Sequence, residues 1–282
     1  MLRIRLELGY RGTAYYGWAR QPDVVSVQET LEEALFRVTR FEGLHTVVAG
    51  RTDTGVHARR QVVHFDVPEA LWLKTPGRSD RTPEATVLYK VNKILPTDIV
   101  LYDVRRAPEG FDARFSALDR TYKYRIADSI AVRDPLRTDS VLWHNFALDL
   151  DRMNESALPL LGLHDFAAFC KARPGATTIR ELKQLTWTRP QTGADAGLAV
   201  ATIVSDAFCH NMVRALVGAV LVVGDGQKDV DWPTWMLNSR SRRHSSAVLP
   251  ACGLTLQEVQ YPADDQLAAR AAEVRAMRMD EF

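Results

Sequence analysis

Arg51, Asp53 and His57 fall within nine residues reading Gly-Arg-Thr-Asp-Thr-Gly-Val-His-Ala, residues 50–58. Gly50 and Gly55 flank the acid, and glycine lets a backbone turn sharply or pass close to a ligand. Asp53 is therefore expected at a loop tip, not on a buried strand face. Arg51 beside it favours the ionised carboxylate. A positioned carboxylate can act as a general base, a nucleophile or a metal ligand. The plain alternative is a hairpin loop whose acid and arginine make only a surface ion pair. Asp53-Thr54-Gly55 also matches the core of the aspartic protease signature, but that chemistry needs two carboxylates sharing a proton. The chain has one Asp-Thr-Gly and no Asp-Ser-Gly, so only a pair formed between two chains would supply the second acid.

The flanking residues predict how the loop is held. An apolar run at 46–49 leads in, and the alternation Gln61-Val62-Val63-His64-Phe65-Asp66 leads out, which is a strand, loop, strand pattern. Residues 2–8 alternate apolar and charged and read as a half-buried strand. Residues 9–23 form an aromatic loop in which Tyr10, Tyr15, Tyr16 and Trp18 interleave with Arg11 and Arg20. Such a loop suits base stacking and phosphate pairing, or it packs on a sheet edge. Ser26-Val-Gln-Glu29 is a capping box opening a helix to about residue 40. Residues 73–83 read as a long loop, 84–95 as a helix stopped by Pro96, and 99–105 as a strand.

The second half has the same make-up. Tyr122, Tyr124 and Ile126 share one face of a strand, within a segment, 105–137, that carries eight basic and five acidic residues. Residues 149–161 read as a helix closed by Gly162; 180–189 and 197–205 read as strands. A long apolar helix is expected from about 208 to 223, with His210, Asn211 and Arg214 along one edge. An arginine there needs a partner to offset its desolvation. Residues 232–257 contain no acid but carry Arg240, Arg242, Arg243 and His244, a phosphate-contacting loop in this reading. A strand at 253–260 and a charged helical tail complete the chain.

Composition narrows the classes. Apolar residues make up 46% and charged residues 25%, as in ordinary globular proteins. The formal charge of +1 means that any basic surface is local. The N-terminus has no signal-peptide core, and the longest apolar run, 215–224, is too short to span a bilayer. Cys170, Cys209 and Cys252 are odd in number and contain no Cys-x-x-Cys, which argues against a disulfide framework and a zinc site and favours a reducing cytoplasm.

Taken in order, several blocks resemble the tRNA pseudouridine synthase A family. They are Tyr-Arg-Gly-Thr-Ala-Tyr-Tyr-Gly-Trp with Ser-Val-Gln-Glu-Thr-Leu, the 50–58 motif, Arg-Thr-Tyr-Lys-Tyr at 120–124, and Phe-Cys-His-Asn-Met-Val-Arg-Ala-Leu at 208–216. His-Asp-Phe-Ala-Ala-Phe and Gly-Leu-Thr-Leu-Gln-Glu-Val-Gln-Tyr-Pro follow the family's second half. The resemblance spans about 3–262; Ala19, Arg60 and Asn211 depart from the usual Gln, Gly and His.

The resemblance implies an α+β fold of two similar halves with antiparallel sheets and helices packed on them, the catalytic loop lying in the cleft between. The corresponding domains are 1–108 and 109–262, with 263–282 a helical tail. It implies a cofactor-free isomerase that binds no metal and turns uridine into pseudouridine at positions 38, 39 and 40 of the tRNA anticodon stem-loop. Asp53 is its essential residue, by attack on the base, attack on the sugar, or removal of a sugar proton through a glycal. Tyr122 contacts a target base that has left its stack, Arg51 occupies the space it leaves, and Arg214 pairs with Asp53. The implied enzyme is a cytoplasmic homodimer that binds tRNA and no membrane. A non-catalytic RNA-binding module is the alternative of another class; base isomerisation separates the two.

Overall fold

The computed structural model describes residues 1–171, 177–244 and 248–279. The chain divides into two compact units, Met1–Leu118 with Gln257–Phe282, and Asp119–Leu256. Both combine antiparallel strand pairs with packed helices, an α+β architecture.

In the first unit the chain order is β1 (Leu2–Tyr10), α1 (Val27–Thr39), β2 (Val47–Val48), β3 (His57–Val67), α2 (Glu69–Lys74), α3 (Pro83–Ile94) and β4 (Ile99–Arg106). Strand β1 pairs antiparallel with β3 on one side and β4 on the other. The two-residue β2 adds to β3 through Val47↔His64 and Val48↔Val63. Alternation sets the register: Ile4, Leu6 and Leu8 are fully buried, while the intervening Arg3, Arg5 and Glu7 are only half-buried.

Helix α1 starts as its capping box predicts, with the Ser26 hydroxyl accepting from the Glu29 amide. It ends where Arg40 turns left-handed at φ 57°. Thr82 caps α3 in the same manner, and Leu95 takes an extended backbone ahead of Pro96. The expected 73–83 loop is shorter than its sequence implied, because α2 already occupies residues 69–74.

The second unit contains β5 (Asp119–Ala127), β6 (Leu142–Trp143), α4 (Leu150–Ala157), β7 (Gly162–Asp165), β8 (Ile179–Thr188), β9 (Ala199–Ser205), α5 (Met212–Gly224) and α6 (Trp232–Ser239). Strand order is β5-β9-β8-β7, antiparallel throughout, and β6 lies parallel to β5. Strand β10 (Leu254–Gln260) begins in this unit and ends in the first, and α7 (Leu267–Met279) closes the chain.

Three expectations are corrected here. Gly162 does not cap the helix before it: α4 ends at Ala157, a short 3₁₀ turn follows, and Gly162, at φ 100°, opens β7. The first part of the acid-free 232–257 stretch is helix α6, not loop; residues 245–247 of that stretch lie outside the described residues. Thirdly, Cys170 and Cys209 form a disulfide, with Cα atoms 5.6 Å apart. An odd cysteine count argued against such a link, but pairing depends on proximity in the fold, and Cys252 is the cysteine left over.

Candidate functional site

Asp53 lies on the loop that joins β2 to β3, half-buried between the buried Thr52 and the exposed Thr54. Arg51, two residues earlier, is exposed, and His57 at the start of β3 is buried. Arg51 and Asp53 share this loop, and His57 opens the strand that follows it. Gly55 has φ 78°, a left-handed conformation that favours glycine, and it allows the chain to reverse immediately after the acid.

The loop is fastened from its underside by residues 10–18. The Trp18 amide donates to the Thr52 carbonyl at 3.0 Å, and the Gly55 amide donates to the Tyr15 carbonyl at 3.2 Å. The Gly12 amide donates to Nδ1 of His57 at 3.0 Å, which leaves the proton of a neutral His57 on Nε2. A Cβ on Gly12 would stand 2.0 Å from the Val56 carbonyl oxygen, so only glycine fits where the two segments cross. Gly17 has φ 86°, and a Cβ there would stand 2.8 Å from the Thr52 carbonyl oxygen.

Side chains complete the attachment. The Tyr10 hydroxyl lies 2.8 Å from Thr52 Oγ1, and Gln61 Nε2 donates both to the Tyr10 hydroxyl and to the Gly50 carbonyl, at 3.3 and 2.8 Å. Burial pushes the Tyr10 phenol up to about 12, against the lowering effect of its bonds to Thr52 and Gln61. Tyr15 donates to Asp98 at 2.7 Å, and its phenol is likewise raised, by burial first and by the Asp98 carboxylate next.

The aromatic loop is thus not a row of free stacking platforms. Tyr10, Tyr15 and Trp18 are 5%, 4% and 1% exposed, and only Tyr16, at 56%, presents its ring to solvent. Of the two readings left open by the sequence, packing holds for three of the four aromatics. The usable signal was the pair Gly12 and Gly17 set among them, which marks a close backbone crossing. Tyr10, Thr52, Gln61 and His57 were not singled out as a supporting set by sequence reasoning, because their partners are distant in the chain.

Tyr122 and Arg214 belong to the second unit. Tyr122 lies on β5 opposite Ile203 of β9. It is 7% exposed, and its ring meets that of Phe208 edge-to-face, centroids 5.2 Å apart. Tyr124, on the same face, is fully buried and donates to the Pro250 carbonyl at 2.8 Å. Helix α5 begins at Met212, four residues later than the expected 208. Asn211 precedes it with φ 68°, and the Met212 amide donates to the Cys209 carbonyl. His210 and Asn211 therefore sit in a turn before the helix, not along its edge with Arg214. The reason is local: asparagine tolerates the left-handed conformation that breaks the helix there. Arg214 stays half-buried, and its Nε donates to the Leu249 carbonyl at 2.6 Å. Arg240, 73% exposed at its side chain, stands 3.9 Å from Asp165. Arg243 is exposed and Arg242 half-buried.

Among the described residues there is no group of three or more His, Cys, Asp or Glu side chains placed to hold a metal ion. No helix among them is long and apolar enough to cross a membrane.

Comparison with known proteins extends the local likeness to nearly the whole chain. A family profile described as tRNA pseudouridine synthase matches residues 157–262. A protein of Streptomyces griseus named tRNA pseudouridine synthase A is 50% identical over 279 residues, covering 98% of this chain and 94% of its own length. Its counterpart in Streptomyces avermitilis is 48% identical over 280 residues, with 98% and 94% covered. The protein of that name from Bifidobacterium animalis subsp. lactis is 46% identical over 296 residues, with 99% of both chains covered. Identity at this level along both units, with the same name on every side, places the chain in the tRNA pseudouridine synthase A family.

Proposed function

We propose that this chain, a tRNA pseudouridine synthase and so an isomerase, acts on uridines at positions 38, 39 and 40 of the tRNA anticodon stem-loop. The observation that carries the reading is the near-complete match to relatives of that name, together with an Asp53 loop whose backbone is fastened on both sides of the acid. In the reaction the N1–C1′ bond breaks, the uracil turns, and a C5–C1′ bond forms. The hydrogen at C5 leaves to solvent and N1 gains one, so there is no net redox change or hydrolysis, and no cofactor is called for. Asp53 is the catalytic residue of this reading, and Tyr122, Arg51 and Arg214 bind the substrate. The uridine reaches them by leaving its stack, at a cost of a few kcal/mol that is offset by contacts in the site. The working enzyme is a cytoplasmic homodimer in the same reading.

The test uses unmodified tRNA transcripts carrying tritium at uridine C5. Purified protein should release tritium in step with pseudouridine formation. Transcripts in which positions 38–40 hold no uridine should release none. Release from the latter at the same rate overturns the site assignment, and no release from any tRNA overturns the activity.

With a formal charge of +1, a phosphate-contacting surface on this chain has to be local. Arg240, Arg242 and Arg243 sit in the stretch that has no acid of its own. Changing all three to Ala should weaken tRNA binding and flatten its salt dependence. Each lost phosphate contact lowers the log–log slope by about 0.7–0.9. A slope equal to that of the unsubstituted protein removes this stretch from the interface.

A further inference from the structure

The loop bearing Asp53 is held by backbone and by side chains, and the two kinds of tie do different work. The peptide planes on both sides of Asp53 are fixed by main-chain bonds. Trp18 N–H donates to Thr52 O at 3.0 Å, and Val56 N–H donates to Asp53 O at 3.1 Å. Those bonds set where the acid's Cα lies. The residue immediately before it, Thr52, has a buried side chain whose hydroxyl meets the Tyr10 phenol at 2.8 Å. Tyr10 is itself rigidly seated: it is 5% exposed, its ring lies 6.0 Å from that of Trp18, and Gln61 Nε2 donates to its oxygen. With Gln61 supplying a proton to that oxygen, the phenol can give its own to Thr52. The same Gln61 amide holds the Gly50 carbonyl, three residues before the acid. A chain Gln61–Tyr10–Thr52 thus reaches from β3 and β1 to the position next to the carboxylate.

We propose that Tyr10 is a positioning residue for the isomerisation, orienting Asp53 through the Thr52 hydroxyl, with Gln61 fixing the phenol. It touches no substrate; it narrows the range of orientations that the Asp53 carboxylate samples. Fold stability alone does not call for such a chain. The ring of Tyr10 already fills its site, and two neutral hydroxyls buried against each other contribute little net stability. Their geometry matters more for a reacting group, since a displacement of about 1 Å costs on the order of 100-fold in rate.

The proposal rests on Asp53 being the catalytic group, so the test carries Asp53→Asn as its control. Single-turnover rates and tRNA binding are measured for Tyr10→Phe, Thr52→Val, the double variant and Thr52→Ser. Tyr10→Phe keeps the ring and removes the hydroxyl; it should slow the step roughly 10- to 100-fold with tRNA affinity unchanged. Thr52→Val should do the same, and the double variant should be no slower than the worse single, because one bond has been removed twice. Thr52→Ser, which restores a hydroxyl at the same place, should return the rate to within a few-fold of the original. If both singles turn over at the original rate while Asp53→Asn is inactive, positioning by Tyr10 is overturned and the catalytic assignment stands. If the effects of the singles multiply in the double variant, the two residues act separately and the proposal falls. If Asp53→Asn itself retains activity, the reading of Asp53 falls and the proposal falls with it. Melting temperatures taken alongside separate these results from loss of folded protein.

Discussion

Asp53→Asn is expected to yield a folded, tRNA-binding protein that forms no pseudouridine. The substitution exchanges one carboxylate oxygen for an amide nitrogen, with nearly the same volume. Asp53 is half-buried on a loop whose conformation is set by other groups: Trp18 and Tyr15 bind the backbone, Gln61 binds the Gly50 carbonyl, and Tyr10 binds Thr52. Those bonds hold the loop whichever group stands at position 53, so stability should change by about 1 kcal/mol, the scale of a typical single substitution. Asn can neither attack carbon as an anion nor take a proton at neutral pH. Each of the three routes open to the carboxylate therefore closes, and the rate should fall by about 10⁴-fold or more, the scale seen when an essential catalytic group is removed. Tritium release under single-turnover conditions, beside a binding titration with the same tRNA, checks the result. A folded Asn variant with measurable turnover would falsify the assignment.

How much of this was legible beforehand depended on whether the signal was local. The β1 alternation, the Ser26 cap and the helix stop at Pro96 each depend on neighbours within a turn or two, and the structure has all three. Strand β3 forms as expected, but Gln61 through Phe65 are all buried, so the alternation at 61–66 does not mark an exposed face. The Asp53 loop was legible for the same reason, since its glycines lie within a few residues of the acid. What supports that loop was not. Tyr10 and Thr52 are 42 residues apart, and Gly12 and His57 are 45 apart. Only the pairing of β1 with β3 brings them together. Composition could describe residues 9–23 as aromatic and basic without saying which rings turn inward. The Cys170–Cys209 link escaped for a related reason, with 39 residues between partners and no motif to announce it. The start of α5 was misplaced by a purely local event: nothing from Phe208 to Asn211 is a Pro or Gly that would announce a break, yet Asn211 takes the left-handed conformation and the helix begins only after it.

Arg189→Met is expected to cost the most stability of any single change considered for the second unit. Asp128 follows directly on β5, the strand of Tyr122, and Arg189 follows directly on β8. The guanidinium grips the carboxylate in two parallel bonds, of 2.8 and 2.6 Å, and the Leu148 amide adds a third at 3.0 Å. The Asp128 side chain is only 3% exposed. Burial pushes its carboxyl up, but the bonds from Arg189 and Leu148 outweigh that, and the net shift is downward. Its contribution is therefore complete above the ordinary carboxylate pKa, and is lost as pH falls through the lowered folded value. Methionine keeps much of the arginine stem but leaves a buried anion without its partner, a loss of roughly 3–5 kcal/mol.

Protonation sets a ceiling on that loss, and the ceiling moves with pH. Protonating a carboxyl of ordinary pKa near 3.9 costs about 4 kcal/mol at pH 7 but only about 1 kcal/mol at pH 4.5. In the Met variant Asp128 can take up a proton at the lower pH, whereas in the unsubstituted protein the pair is still ionised there. The deficit should therefore shrink by as much as about 3 kcal/mol between pH 7 and 4.5. His64, whose burial and nearby Arg3 lower its pKa to about 4, titrates over the same range but is present in both proteins and cancels in the difference. Urea unfolding of both proteins at the two pH values measures it. A deficit below about 1 kcal/mol at pH 7, or one that does not change with pH, would mean that Asp128 is satisfied by the Leu148 amide and water, and that the Arg189 pair contributes no more than an exposed one.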